Sequence, residues 1–355
     1  MIGLMIRGFR THSNRRMRHA VTSRSRQAGA RPRIRAAIAC ALSAILSACA
    51  AQTGPKPLPR DHEAALVPPS MTITLSDGAP IPLRVWQARS PHAVVLAFHG
   101  FGDSRDAWEW PAPHMAAAGI TTIAPDQRGF GAAPLRGDWS SAARMVRDAS
   151  EEAAFIHARM PDMPLYVMGE SMGGAIALML DSQRSRPPIA GTILVSPAIW
   201  PFDWGSRAVV NTLASIAPHW AFTGEDLPVH VVPSDNLAAM RRLYFDPLTL
   251  HAARLDSLAG LVRLMNDASR TVPRAPAPML ILYGDHDQLV PAGPMARLWR
   301  ETPHARHDLI LGGHHLLLRD RPVATADVIA WITDPDVPLP SGGDIAAAAW
   351  MAGDP

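Results

Sequence analysis

The chain has 355 residues, of which 48% are hydrophobic and 18% charged, with a formal net charge of +3. That length suits one large α/β domain or two small ones, and the composition excludes a wholly disordered or collagen-like chain. The charge is unevenly placed. Residues 1–48 hold ten Arg and no Asp or Glu, whereas the remainder carries 24 basic against 31 acidic residues, a net of −7. The body of the chain is therefore mildly acidic, which argues against a nucleic-acid partner.

From the N-terminus, Arg31, Arg33 and Arg35 precede Ala36–Ala48, a run of small and apolar residues. A positive segment followed by about a dozen apolar residues reads as a secretory signal over residues 1–48, too short to span a bilayer. The run ends Leu46-Ser47-Ala48-Cys49, which resembles the lipobox of bacterial lipoproteins. That resemblance implies lipidation of Cys49, export, and a membrane anchor in the cell envelope. Ala50 stands where an aspartate is associated with inner-membrane retention, so the outer membrane or a periplasm-facing site is expected. The chain's two cysteines are Cys40, which would be discarded, and Cys49, so no thiol would remain for a disulfide or metal. Residues 49–69 are Pro-rich and read as a tether.

Residues 70–334 alternate strand and helix patterns. Met71–Leu75 and Ile81–Ala88 suggest an opening hairpin around Ser76-Asp77-Gly78. Short apolar runs at Ala93–Phe98, Thr121–Ala124, Leu165–Met168, Thr192–Val195, Met279–Leu282 and Asp308–Leu311 suggest buried strands. Met145, Ala149, Ala153, Ile156 and Met160 predict an amphipathic helix over Ser141–Met160. The alternation implies a mostly parallel sheet covered on both faces. Over about 199–277 the strand rhythm stops and helix-like stretches at Ser206–Ile216, Asn236–Tyr244 and Leu255–Asn266 predict an inserted helical cap. The Pro-, Gly- and Ala-rich segment 335–355 is expected to be a flexible tail.

The chemistry gathers where strands end. Leu165–Met168 runs into Gly169-Glu170-Ser171-Met172-Gly173-Gly174, and Ala175–Leu180 continues as a helix. This is G-x-S-x-G between strand and helix, the setting of a nucleophile elbow, which points to Ser171 as nucleophile. A serine hydroxyl needs a base, and the base needs an orienting carboxylate. Two later strand ends offer candidates: Gly284-Asp285-His286-Asp287 carries Asp285 and Asp287, and Gly312-Gly313-His314-His315 carries His314 and His315. The residues alone leave each pair open. His286, His314 and His315 cluster in sequence without further ligand spacing, so no metal and no cofactor are expected.

Five segments resemble the serine α/β-hydrolases, specifically the monoacylglycerol lipase and lysophospholipase branch (the serine-aminopeptidase-like hydrolases). They are His99-Gly100-Phe101-Gly102, Pro125-Asp126-Gln127-Arg128-Gly129-Phe130-Gly131, Gly169–Gly174, Gly284–Pro291 and Gly312–Leu316. The resemblance implies the α/β-hydrolase fold, selects Asp287 as acid and His315 as base, and places an oxyanion hole at the backbone N–H groups of Phe101 and Met172. His99, Asp126 and Arg128 are expected to be structural. The implied activity is hydrolysis of lipid-type carboxylic esters, such as a monoacylglycerol or lysophospholipid, through an acyl-enzyme. Trp200, Phe202, Trp204, Trp220, Phe222, Met240, Leu261 and Met265 offer either an apolar wall for an acyl chain or the cap's own core. Two alternatives stand beside it: a serine aminopeptidase, using Glu225, Asp226 or Asp235 for an α-ammonium group, and a non-catalytic ligand-binding lipoprotein.

Overall fold

The computed structural model describes residues 65–223, 226, 231–272 and 278–353. The expected signal, the Cys49 anchor, most of the tether and Glu225 lie outside the described residues. An eight-stranded sheet runs in the order β1-β2-β4-β3-β5-β6-β9-β10. Its strands are β1 (Met71–Thr74), β2 (Pro80–Trp86), β3 (Ala93–Phe98), β4 (Ile120–Pro125), β5 (Leu165–Glu170), β6 (Gly191–Val195), β9 (Met279–Gly284) and β10 (Arg306–Ile310). β1 and β2 pair antiparallel, as do β2 and β4, while every pairing from β4 to β10 is parallel. The strand–helix alternation therefore yields the expected α/β sheet.

Alternation along each strand splits the core into two layers. Val94, Leu96 and Phe98 of β3 face one side with Ile281 and Tyr283 of β9, against helices Ala142–Arg159, Met172–Asp181 and Ala292–Glu301. Ala93, Val95 and Ala97 face the other with Leu280 and Leu282, against helices Pro111–Ala117 and Pro322–Thr333. Strands buried on both faces read as unbroken apolar runs, which is why they were legible without a period-2 signal. The helix predicted over Ser141–Met160 is present as Ala142–Arg159. Ser141 caps it by accepting a hydrogen bond from the Arg144 N–H at 3.0 Å.

Between β6 and β9 the chain forms the helices Trp204–Ile216, Leu237–Phe245 and Leu255–Ser269, with a small antiparallel pair, β7 (Ala221–Phe222) and β8 (Ala253–Arg254). The segment expected as a flexible tail corrects that expectation. Gly343–Ala352 is a helix on the sheet edge, where Asp344 pairs with Arg306 at 2.8 Å. Its Trp350 ring packs against Trp299 and Tyr283, with centroids 5.1 and 5.8 Å apart. Small residues suggested mobility. What orders them is the aromatic cluster they deliver to the core.

Parallel pairing brings the strand ends to one edge. Phe98 lies opposite Gly169, Glu170 opposite Val195, and Ile310 opposite Gly284, so His99, Ser171, Asp285 and Leu311 all begin turns along that edge. The loop after β4 is fixed by a buried ion pair. Asp126 is bonded by the Arg105 guanidinium and accepts from the backbone N–H groups of Arg105 and Ala132, each at 2.8 Å. Arg128 uses other partners, Asp148 at 2.7 Å and Asp77 at 2.9 Å. The structural role expected for Asp126 and Arg128 thus has two independent anchors. Arg105 and Asp126 side chains are 1% and 0% exposed, so removing one partner strands the other's charge. Arg105→Ala is expected to destabilise the fold by about 3–5 kcal/mol, read from urea unfolding of variant and wild type. A loss below about 1 kcal/mol would show that water reaches Asp126.

Candidate active site

Ser171 sits between β5 and the helix Met172–Asp181 with φ 54° and ψ −115°, a left-handed backbone that a residue with a Cβ adopts only under constraint. Its surroundings supply the constraint. The Ser171 N–H donates to the Val195 carbonyl at 2.9 Å, and the Ser171 carbonyl accepts from Ala198 at 2.9 Å. A Cβ at Gly169 would collide with the Gly173 carbonyl, and one at Gly173 with the Phe98 carbonyl. Strand, helix and the His99 strand end meet too closely for larger residues. These glycines are what permit the elbow.

The second and third turns meet each other. A Cβ at Gly284 would enter the Gly313 carbonyl, and the His286 N–H donates to that carbonyl at 2.9 Å. In this contact His315 Nδ1 lies 2.9 Å from Asp287 Oδ2. Asp287 Oδ1 accepts the N–H groups of Leu289 and Val290 at 2.7 and 2.9 Å. Burial opposes ionisation of Asp287, but these donors and His315 outweigh it and hold the carboxyl below its usual range. With Asp287 as acceptor, Nδ1 is the donor and Nε2 is left with its lone pair.

The two other candidates point elsewhere. Asp285 Oδ1 accepts the Gly312 N–H at 2.6 Å, closing the turn that carries the histidines. His314 Nδ1 lies 3.1 Å from Asp320 Oδ2. That carboxylate also takes the His314 N–H at 2.7 Å, while its other oxygen takes the Ser234 hydroxyl at 2.8 Å. His314, Asp320 and Asp235 bring polar atoms within 4.8 Å of one another. Their lone pairs are engaged, because Arg321 donates to both Asp235 oxygens at 2.7 and 2.8 Å. This arrangement ties cap residues 234–236 to the loop bearing His315.

His99 is wholly buried. Its Nε2 accepts the Gln127 N–H at 3.1 Å and its Nδ1 lies 2.8 Å from the Gly100 carbonyl, so both ring nitrogens are occupied. Burial holds its pKa below the usual value. A neutral, doubly bonded ring braces the loop carrying Phe101.

Ser171 and His315 open into one cavity of about 710 Å³. Its polar side chains are Asp103, Glu170, Ser171, Thr249 and His315, and every other lining residue is glycine or apolar. Phe101 lines it. Met172, whose N–H follows the serine directly, is buried behind the elbow. Among the cap residues expected to face substrate, Trp200, Phe202, Phe222, Leu261 and Met265 line the cavity. Trp204, Trp220 and Met240 do not, and Trp204 is 78% exposed to solvent. Apolar character selected the cap residues, but only helix phase decides which flank faces inward.

One feature escaped the sequence. Arg319, four residues after His315, donates from Nη2 to Asp103 at 2.6 Å and to Glu170 at 2.7 Å. Nothing in its local pattern distinguishes it from a surface arginine of a short helix.

A cap over parallel strand ends, with a strained Ser at one end and a buried Asp–His pair at two others, defines an α/β-hydrolase. A family model described as "Serine aminopeptidase, S33" (Hydrolase_4) matches residues 89–322, and the chain belongs to that family. It is similar to the monoacylglycerol lipase of Mycolicibacterium smegmatis, with 27% identity over 72% of this chain and 93% of the relative. It is likewise similar to the monoglyceride lipase of Rattus norvegicus, with 25% identity over 72% and 86%. Among solved structures, a soluble variant of the Saccharomyces cerevisiae monoglyceride lipase with a substrate analog shares the fold. The TM-score is 0.64 at 19% identity, over 79% of this chain and 98% of that one.

Asp287→Asn tests the electrostatics directly. A carboxylate held below its unfolded pKa adds stability above that unfolded value and loses it as pH falls through the lower folded pKa. The stability gap between wild type and Asp287→Asn should therefore be present at pH 7 and close below about pH 4. Urea unfolding across that range reads it; a gap independent of pH would mean that the carboxylate charge does not matter.

Proposed function

We propose that the chain hydrolyses lipid-type carboxylic esters, monoacylglycerols or lysophospholipids, through a serine acyl-enzyme. That it is an ester hydrolase rests on its family and on its likeness to monoglyceride lipases. The observation that carries the lipid reading is the cavity: Asp103, Glu170, Ser171, Thr249 and His315 are its polar side chains, and the other lining residues are glycine or apolar. Such a chamber takes an acyl chain by removing apolar surface from water, with the ester carbonyl beside Ser171 in the same space.

In this reading Ser171 Oγ attacks the ester carbonyl carbon while His315 Nε2 takes its proton. Asp287, bonded to His315 Nδ1, fixes the tautomer and stabilises the imidazolium. Charge on the carbonyl oxygen is met by the N–H groups of Phe101 and Met172, the second standing at the positive end of the helix Met172–Asp181. The alcohol leaves with the proton from His315, and water, activated by the same base, releases the fatty acid and regenerates Ser171.

The family's description supports a second reading, an aminopeptidase. It would need a carboxylate free to bind an α-ammonium group. Asp226 accepts from Thr223 and Asp235 from Arg321, and neither lines the cavity. Asp103 and Glu170 share the guanidinium of Arg319. The described residues therefore favour the ester. A lipid anchor at Cys49 belongs to the same proposal, supported by Arg31, Arg33 and Arg35, the apolar run and the Leu46–Cys49 motif.

Two measurements test these readings. Residues 51–355 should hydrolyse monoacylglycerols, lysophospholipids or long-chain p-nitrophenyl esters in preference to aminoacyl anilides. Ser171→Ala should lower that turnover by roughly 10⁴-fold or more without loss of fold. Anilide turnover alone would establish the aminopeptidase, and a folded wild type without turnover or fluorophosphonate labelling would leave the binding protein. For the anchor, the full chain should take up labelled palmitate and sediment with membranes, and Cys49→Ala should abolish both. Uptake unchanged in the variant would remove Cys49 as the lipidated residue.

A further inference from the structure

We propose that Arg319 is a positioning residue that holds the nucleophile elbow, the oxyanion loop and the base loop in mutual register. The inference rests on the serine-hydrolase reading above and extends it to a residue outside the three catalytic side chains. Arg319 stands in the short helix Leu317–Asp320 that follows His315 directly. One of its nitrogens, Nη2, donates to Asp103 Oδ2 at 2.6 Å and to Glu170 Oε2 at 2.7 Å. Asp103 ends the His99-Gly100-Phe101-Gly102 loop, and Glu170 immediately precedes Ser171. A single guanidinium thus joins three strand-end loops that parallel pairing brings to one edge but does not align in detail.

The chemistry of the tie makes it stiff. All three side chains are buried, so none can exchange its partner for water without a desolvation cost. Asp103 is also fixed to its own loop, because its Oδ1 accepts the Ser104 N–H at 2.8 Å. Charge-assisted bonds of this length are short and directional. Burial holds the Glu170 carboxyl above its usual range, and Arg319 offsets only part of that rise. Because one nitrogen bonds both Asp103 and Glu170, losing the guanidinium would leave the two side chains facing each other. A displacement of one loop by about 1 Å can cost on the order of 10²-fold in rate, because attack, proton transfer and oxyanion binding must coincide.

Positioning predicts a specific kinetic signature. Apolar cap residues bind the acyl chain whether or not the loops are aligned, so the loss should fall on kcat and leave KM nearly constant. The test compares wild type, Arg319→Gln and Arg319→Lys with a p-nitrophenyl ester, normalising rates to the folded fraction by circular dichroism. Arg319→Gln should lose 10- to 100-fold in kcat with KM within about twofold, and should react proportionally more slowly with a fluorophosphonate. Arg319→Lys, which restores a cation on a shorter side chain, should recover part of the loss. Should Arg319→Gln fail to fold, Asp103→Asn keeps an acceptor for Arg319 while weakening the bond, and its kcat should fall several-fold at unchanged KM.

Wild-type kcat in folded Arg319→Gln, or in Asp103→Asn where that variant replaces it, would overturn the proposal. So would a loss confined to KM, or one that Lys does not relieve. Failure of the underlying reading looks different: the wild type itself would show neither ester turnover nor labelling at Ser171.

Discussion

The backbone at Ser171 is the constraint on which the rest depends. A serine at positive φ is held in place only where the strand before it, the helix after it and the neighbouring strand ends all over-determine its conformation. Gly169 and Gly173 let those pieces approach, and the Val195 carbonyl and Ala198 N–H fix the serine from the next strand. The sheet order follows from the same requirement. With β3 and β6 flanking β5, the loop after His99 and the loop after Val195 both face the elbow. Within the eight-stranded sheet, antiparallel pairing is confined to β1, β2 and their junction with β4.

Legibility in the sequence divided along physical lines. Strands buried on both faces and helices with one apolar stripe announce themselves through composition and period, and so the fold class and the G-x-S-x-G turn could be read from local pattern. Asp285 and Asp287 could not be separated that way, because both sit in one turn and differ only in which way a carboxylate points. The Gly312 N–H takes one and His315 the other. His314 and His315 divide similarly, with Asp320 engaging the first. These are long-range bonds, 27 or 28 residues apart for the aspartates, and no local pattern encodes them.

The segment after Asp334 illustrates the opposite error. Its alanines and glycines suggested a chain with little to bury. Order comes from Trp350, which joins Trp299 and Tyr283, and from Asp344, which reaches Arg306 across the sheet edge. Composition averages over a segment, whereas docking needs only one or two side chains of sufficient area. The cap shows a related limit, since aromatic content alone does not separate Trp204, which is exposed, from Trp200 and Phe202, which line the cavity.

The apolar cavity lining and the strand-end loops are held by different forces. The apolar lining, Trp200, Phe202, Leu261 and Met265 among it, rests on non-directional packing, which tolerates rearrangement at modest cost so long as volume is kept. The strand-end loops are held by buried charge. Arg319 between Asp103 and Glu170, and Arg105 beside Asp126, are arrangements that gain little stability over apolar packing yet become costly when any member is displaced. Directional bonds fix the loops that carry Ser171 and His315, and apolar side chains line most of the cavity beside them. On the proposed reading, variation in the cap alters which acyl chain is accepted without disturbing the chemistry, because the loops that carry Ser171 and His315 are tied to one another through Arg319.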